Sequence, residues 1–326
     1  MKGLPVLIAA LLFARSLSAS SLPEQVPGSS RALLFPAAPL ASLPYSAVTA
    51  SGATAPILAW TVLPGGDRLA VLGPLAERAG RVELLGPVAF GGVVPEAPPS
   101  SFPDLTQTDR SLALPLGGWV HCGPAAASNV LEALGLVEDG RAVVAVLGSG
   151  AYMDTRFFLG GTAPSSFLEG LDRFLRDRSL EGLALEYQGW SSRPFRYGLV
   201  PAPCWDDVGL ALATGGGAVL QVGWYVRRGG EWRRRGGHWV TLAGFEGGAW
   251  SVADPGPWAG RKPQLQPIRL GPLPEGTVLL AGGNRMDGKA FRQVLTGLAR
   301  PRQGEAAVAE GVVLFWRRLK ELDWGR

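Results

Sequence analysis

The sequence predicts an α+β protein in which helices come first and a β-rich half follows, with a small β-rich module ahead of both. Hydrophobic residues make up 47% of the chain and charged residues 18%, a composition typical of a packed globular protein. Residues 125–136 contain no helix breaker until Gly135, whereas residues 218–226 and 238–245 are apolar runs of strand length. At 326 residues, the chain is long enough for one large and one small domain.

Residues 1–20 have the three-part pattern of a signal peptide. Lys2 supplies the positive charge, residues 4–14 form a short apolar run, and residues 16–20 are small, as a cleavage site requires. The run is too short for a membrane span, and no later segment is apolar over the length that a spanning helix needs. The sequence therefore predicts a secreted, periplasmic or cell-envelope protein with no membrane span after signal cleavage. An uncleaved anchor or a core helix is the alternative.

Residues 21–100 are predicted to form the small β-rich module and its linker. Short apolar runs alternate there with glycine- and proline-containing turn signals, for example at residues 64–66. Four prolines between Pro95 and Pro103 are typical of a linker. Residues 101–326 then form the main domain.

The main domain is predicted to contain several helices. Beyond residues 125–136, Ser166 and Glu169 fit a capping box ahead of apolar residues at helical spacing. Residues 206–214 are predicted to be a helix that three glycines end. We also expect a C-terminal helical extension, with helices over residues 288–298 and 305–322.

The strands of the main domain are predicted over residues 218–226, 238–245 and 249–253, with residues 227–237 forming a polar loop. Net charge is +4, which is too small to indicate nucleic acid binding. The chain contains no glycine-rich phosphate loop and no paired short metal-binding motif, so we expect neither a cofactor nor a metal site.

Cys122 precedes a glycine, a proline and the predicted helix. Proline is well tolerated in the first turn of a helix, so the thiol is expected at the helix N-terminus, where the helix dipole stabilises a thiolate. A small buried cysteine that opens a core helix is the alternative interpretation.

His238 and Asp254 can complete a catalytic set with this thiol. A neutral imidazole at the start of a strand can take the proton of a thiol that lies far away in the sequence. Asp254 follows the next predicted strand, so a hairpin would bring its carboxylate beside His238 and fix the tautomer of the ring. The alternatives are a structural strand-end histidine and an ordinary Asp-Pro strand terminator.

These residues lie in three sequence words that together resemble the C39-like cysteine peptidases of the papain-like superfamily. The words are HCGPAAASNVL at 121–131, GHWVTLAGF at 237–245 and VADP at 252–255. The resemblance covers about Asp104 to Trp258, in the family's order. It implies a papain-like α+β cysteine peptidase fold with Cys122 as nucleophile, His238 as base and Asp254 as the residue that orients the base.

The family also places a glutamine before the cysteine as an oxyanion donor, and Gln107 is the candidate here. Members that process bacteriocin leaders keep this glutamine much closer to the cysteine. Either the loop over residues 110–118 is longer in this chain, or the donor is missing and the backbone N–H of Cys122 serves alone. Trp119, Gly123 and Trp239, which adjoin the predicted site, are the candidate substrate-binding residues.

The scarce cysteines and histidines allow other arrangements. The chain has two of each, so a Cys122–Cys204 disulfide or a zinc site built from all four side chains remains open. His121 is expected to be a partly exposed loop residue. The predicted function is that of a secreted cysteine hydrolase that cleaves peptide or amide bonds of a peptide or protein substrate. The alternative is an inactive papain-like scaffold that acts as an extracellular binding module.

Overall fold

The computed structural model describes residues 101–180, 183–190, 197, 202–213, 215–229, 231–260, 263–273, 278–281, 284–285, 293–299 and 302–317, together with five strands nearer the N-terminus. Those strands are β1 Glu24–Gln25, β2 Ala32–Phe35, β3 Ser46–Val48, β4 Thr54–Val62 and β5 Arg68–Leu72. They form one antiparallel sheet in the order β1-β2-β5-β4-β3, within the segment for which the sequence predicts a β-rich module. The predicted signal peptide lies outside the described residues.

The described residues of the main domain include four α-helices, and the first ten residues of the first helix are all buried. They are α1 Cys122–Ala133, α2 Arg141–Gly148, α3 Pro164–Asp177 and α4 Trp205–Ala213. Three consecutive alanines of α1, at positions 125–127, are fully buried, and a helix buried all round requires such an uninterrupted apolar sequence. The small side chains also let neighbouring elements approach the α1 backbone closely.

Nine strands follow or separate these helices. They are β6 Leu183–Gly189, β7 Gly217–Arg228, β8 Glu231–Glu246, β9 Ala249–Ala253, β10 Gln266–Pro272, β11 Val278–Ala281, β12 Asn284–Arg285, β13 Gln293–Thr296 and β14 Ala306–Arg317. The fold is therefore mixed α+β, with a large and mainly antiparallel sheet.

Six of the strands close into an antiparallel barrel. The ring runs β8-β7-β14-β13-β10-β9, and β9 pairs in turn with β8. β6 pairs with the second half of β14, and β11 pairs in parallel with the first residues of β8. Closure satisfies the backbone hydrogen bonds of strands that an open sheet would leave at its edges.

Two hydrophobic clusters lie on the two faces of the barrel wall, as the alternation of strand side chains requires. One collects apolar residues from all six barrel strands, including Leu220, Val240 and Val252. The other lies between the barrel and α1–α3, and includes Val219 and Trp239. No helix among the described residues is long and apolar enough to cross a membrane.

The predicted C-terminal helical extension is wrong where the structure describes it. Residues 293–296 and 306–317 are strands β13 and β14, and β14 lies between β7 on one side and β13 and β6 on the other. A strand that is covered on both faces needs apolar residues at every position, so it lacks the alternation that identifies a half-exposed strand. Residues 306–316 are all buried, which explains why periodicity misassigned them.

Two further local predictions need correction. The predicted polar loop over residues 227–237 belongs instead to a β7–β8 hairpin, in which Arg228 pairs with Glu231 across a short turn. The capping box at Ser166 is not formed, because α3 begins earlier at Pro164, after Ala163, which makes no side-chain capping hydrogen bond. Proline is favoured in this first turn, since the N–H it lacks would have no intrahelical acceptor.

Candidate active site

Cys122 is the first residue of α1 and is 8% exposed, at the edge of the buried region. The helix is fixed against the barrel by Thr241 of β8, whose Oγ1 donates a 2.8 Å hydrogen bond to the carbonyl of Ala126. This bond locks α1 to β8, which sets the position of the thiol relative to any side chain on that strand. The first amides of a helix have no intrahelical acceptor, so the sulfur lies where partial positive charge favours a thiolate.

His238 and Asp254 meet through a β-hairpin. β8 and β9 are joined by a turn that contains Gly247 and Gly248, both in the left-handed region at φ 57° and 78°. The register pairs Thr241 with Ala253, so Asp254 emerges from β9 close to His238. Nε2 of His238 lies 2.6 Å from Oδ1 of Asp254, and both side chains are buried.

The Asp254 carboxylate is also held by its own loop. Its Oδ1 accepts a 2.7 Å hydrogen bond from the backbone N–H of Gly256, two residues further along the chain. This local bond helps to fix the carboxylate in the orientation that His238 requires, because the Gly256 N–H and the His238 ring both contact Oδ1 and so limit its rotation.

Electrostatics favour a charged imidazole at this position. Burial alone lowers the pKa of His238, but the charge of Asp254, the hydrogen bond to it, and the adjacent Cys122 side chain act in the opposite direction and raise the pKa to about 10. Because Nε2 is engaged with Asp254, Nδ1 is the ring nitrogen left to interact with the thiol. The geometry therefore places an imidazole that favours its charged form next to the Cys122 side chain.

Two tryptophans flank the His238 ring, and neither is among the predicted site residues. The ring centroid of Trp258 lies 5.0 Å from that of His238, and that of Trp224 lies 6.2 Å away. They shield the His238–Asp254 bond from water, and a hydrogen bond to a charged group is stronger in such surroundings. With eleven tryptophans in the chain, residue type alone could not have singled them out.

Gln107 lies beside the site, as the resemblance implies, but its amide is engaged elsewhere. Nε2 donates to the carbonyls of Gly118 and Trp119 at 3.1 and 2.8 Å. The backbone N–H of Gln107 donates to the carbonyl of Pro255, which directly follows Asp254, at 2.9 Å. The structure thus places the residue between the two halves of the site, while its role as an oxyanion donor stays a prediction.

Gly123 has a structural reason to lack a side chain. A Cβ built at this position would lie 2.8 Å from Oγ1 and 2.9 Å from Cβ of Thr162. The missing side chain therefore makes room for Thr162, and a role of Gly123 in substrate binding stays a prediction. Thr162 is fixed in turn by a 2.7 Å hydrogen bond between its Oγ1 and that of Thr155.

Trp239 lies in the core and does not line an open groove. Only 3% of its surface is exposed, its ring stacks on Phe167 at 4.7 Å, and its Nε1 donates to the carbonyl of Thr162 at 3.0 Å. Its hydrogen bond to the Thr162 carbonyl helps to hold the Thr162 segment against β8. Since β8 side chains alternate between faces, the residue next to His238 in sequence points to the opposite side of the strand.

Trp119, by contrast, is 59% exposed and sits three residues before Cys122. Leu116 on the same loop is exposed too, and so are Phe157 and Phe158 on a neighbouring turn. That turn reaches the residues just before Cys122, because a Cβ at Gly161 would lie 3.2 Å from the carbonyl oxygen of Val120. Bulky apolar side chains therefore lie in solvent on two loops that meet directly before Cys122.

His121 is buried, contrary to the expectation of a partly exposed loop residue. It is 3% exposed, and its ring lies against Gly148 of α2, where an added Cβ would be 2.8 Å from Cδ2. No described residue makes a hydrogen bond to its Nδ1. Burial lowers the pKa of this imidazole, so it is neutral at physiological pH.

Neither alternative use of the cysteines is found. Cys122 and Cys204 are not joined by a disulfide, and the backbone N–H of Cys204 donates to Oε1 of Gln188 at 2.8 Å. Among the described residues, no three His, Cys, Asp or Glu side chains are grouped so that they could hold a metal ion.

Comparison of the sequence with protein-family profiles, with curated proteins and with solved structures finds no match.

Proposed function

We propose that this protein is a thiol hydrolase of the papain-like type, related to the C39-like peptidases, that acts on peptide or related amide bonds. One observation carries the proposal: a cysteine at a helix N-terminus lies next to a buried histidine that a buried aspartate holds at 2.6 Å. The three sequence words and their order support the same assignment, as does a barrel packed against the helix that bears the thiol.

The proposed reaction begins with the thiolate of Cys122. It attacks the carbonyl carbon, and the backbone N–H at the start of α1 stabilises the oxyanion. His238 gives its proton to the leaving amine, which frees the imidazole to activate a water molecule. That water releases the acyl group as a carboxylic acid and restores the thiol. Asp254 keeps Nδ1 of the ring directed toward the sulfur throughout.

The exposed apolar side chains support a preference within this substrate class. Trp119 and the neighbouring Phe158, which is 95% exposed, lie on the two loops that meet just before Cys122. Exposed aromatic groups beside a reactive centre are typical of surfaces that bind apolar groups of a ligand. We expect substrates with bulky apolar residues near the scissile bond.

The test is a thiol-reactive probe combined with a peptide library. A Cys204→Ser variant should be labelled at Cys122 at mildly acidic pH and should cleave library peptides next to apolar residues. Cys122→Ala should lose both properties while its thermal unfolding stays close to that of the parent. Labelling that persists at another residue in Cys122→Ala would show that Cys122 is not the nucleophile.

A non-catalytic scaffold is the second candidate, and the engagement of Gln107 favours it. Both Nε2 hydrogens of that amide are donated to backbone carbonyls, so one expected oxyanion donor is not free. If the protein is a scaffold, the wild type and Cys122→Ala should bind library peptides with the same affinity, and neither should cleave them. Turnover by the wild type at a rate that Cys122→Ala abolishes excludes this candidate.

A further inference from the structure

We propose that Gln107 is a positioning residue that holds the two halves of the active site at a fixed separation and does not donate to the oxyanion. The two halves are the nucleophile loop, residues 118–121, which leads into α1, and the Asp254 loop, residues 254–256. The inference rests on the proposed thiol chemistry of Cys122. It gives Gln107 a role different from the one that the family resemblance implies.

The hydrogens of the Gln107 amide are already committed. A primary amide nitrogen carries two hydrogens, and Nε2 donates one each to the carbonyls of Gly118 and Trp119, at 3.1 and 2.8 Å. Both acceptors lie on the nucleophile loop, immediately before Cys122. To contact an oxyanion, the amide would have to break one of these bonds and leave a backbone carbonyl without it.

The remaining polar atom of the side chain has the wrong character for an oxyanion. Oε1 is buried, and no described residue donates to it, but it is an acceptor and would repel a developing negative charge. A reversed amide would place Oε1 against both carbonyl oxygens, so the orientation of the amide is determined by its partners. In this conformation, Gln107 offers no donor to the substrate.

The backbone of Gln107 belongs to a short strap, residues 104–107, that crosses between the helix and the barrel. Oδ2 of Asp104 accepts from the N–H of Gln264 at 2.8 Å, and the N–H of Leu105 donates to Oδ1 of Asn129 in α1 at 3.0 Å. The N–H of Gln107 donates to the carbonyl of Pro255 in the Asp254 loop at 2.9 Å. The strap therefore connects the element that carries the thiol with the element that carries the carboxylate.

Close packing makes this connection rigid. Gly118 of the nucleophile loop has φ +79°, and a Cβ there would lie 1.8 Å from the carbonyl oxygen of Gln107. The two backbones thus touch directly, which only glycine permits at this φ. Loss of the Gln107 amide would release the nucleophile loop, and with it the alignment of Cys122 and His238.

Two reactions of Cys122 separate positioning from oxyanion donation. Alkylation by iodoacetamide is a direct displacement at carbon that forms no oxyanion, so it reports only the thiolate and its alignment with His238. Acylation by 4-nitrophenyl acetate passes through a tetrahedral oxyanion, so it reports both. The variants are Gln107→Met, which has a similar shape but no hydrogen bonds, and Gln107→Glu, which sets an acceptor against both carbonyls. Gln303→Met, at an exposed glutamine outside the strap and its contacts, is the matched control.

If Gln107 positions the loop, alkylation of Cys122 at pH 6 falls about 10- to 100-fold in both variants, as expected for a displacement on the order of 1 Å. Its pH profile then moves toward that of a free thiol, about 8.5, and acylation falls in parallel. The proposal is overturned if alkylation is unchanged, whether acylation is also unchanged or falls about 10²- to 10³-fold, as for a lost oxyanion donor. Slow, free-thiol-like alkylation of wild-type Cys122 would instead reject the proposed thiol chemistry itself.

Discussion

The two histidines of this chain are both buried, and they differ most in whether a carboxylate contacts the ring. His238, on the barrel side, is buried and bonded to the carboxylate of Asp254 at 2.6 Å, and its pKa is raised to about 10. His121, on the helix side, is buried, no described residue makes a hydrogen bond to its Nδ1, and burial lowers its pKa. Burial alone favours the neutral ring, so the carboxylate decides which of the two histidines carries a charge.

The two histidines also differ in whether their contacts suit proton transfer or packing. Both residues adjoin Cys122, one in space and one in sequence, and residue type cannot distinguish them. His121 fills the space above Gly148 and supports the turn that enters α1. His238 has a carboxylate partner that stabilises a charged ring, whereas the contacts of His121 with Gly148 are packing contacts.

Exchanging each histidine for asparagine should give the largest difference. His238→Asn removes the base, and we expect the acylation rate of Cys122 to fall on the order of 10²- to 10⁴-fold. His121→Asn should keep most of that rate while lowering the thermal unfolding temperature. Equal losses in the two variants would mean that both rings take part in proton transfer, which would contradict the assignment of His238 alone as the base.

Stability should respond to pH in opposite directions at the two sites. The pKa of His238 is raised above its unfolded value of about 6.5, so the stability that it contributes is complete below that pH and is lost as the pH rises toward about 10. The pKa of His121 is lowered, so the unfolded chain binds the proton more readily, and stability is lost as the pH falls below about 6.5.

Urea denaturation of the two variants across this pH range measures both effects. His238→Asn should flatten the alkaline loss of stability, and His121→Asn should flatten the acid loss. If the acid loss persists unchanged in His121→Asn, carboxylates rather than this buried ring are responsible for it.

The smallest effect is expected at the exposed rim of the helix side. Trp119→Ala removes an exposed aromatic surface, and we expect KM for apolar peptides to rise about tenfold with little change in kcat. The comparison variant is Trp239→Ala, in which loss of a buried ring should cost about 3–5 kcal/mol of stability. An unchanged KM in Trp119→Ala would place the substrate elsewhere.

Local sequence was sufficient where the structure depends on neighbouring residues. The helix after Cys122, the strands that carry His238 and Asp254, and the turn between them all follow from helix-head chemistry, apolar runs and paired glycines. These signals act over a few residues, and in these elements the tertiary contacts agree with them. The meeting of His238 with Asp254 followed from hairpin geometry alone.

The C-terminal helices were predicted wrongly, and contacts of the site were missed, where partners that are distant in the sequence determine the structure. Residues 306–316 of β14 are buried because apolar clusters cover both faces of the strand, and the sequence of this segment gives no indication of those distant partners. Trp239 lies in the core, where Phe167 of α3 stacks on its ring. The bonds of Gln107 to Gly118, Trp119 and Pro255 depend on how two loops meet, which sequence spacing does not encode.

The position of β14 in the barrel has a consequence for the order of assembly. It is the last barrel strand in the sequence, yet it is inserted between β7 and β13, so the ring cannot close until residues 306–317 are available. Pairing between such distant segments is slow compared with the formation of a local hairpin. The β8–β9 hairpin can form early, but we expect it to lack a stable core to rest on. Under the proposed function, the thiol should therefore become reactive only late in folding, once β14 has closed the barrel.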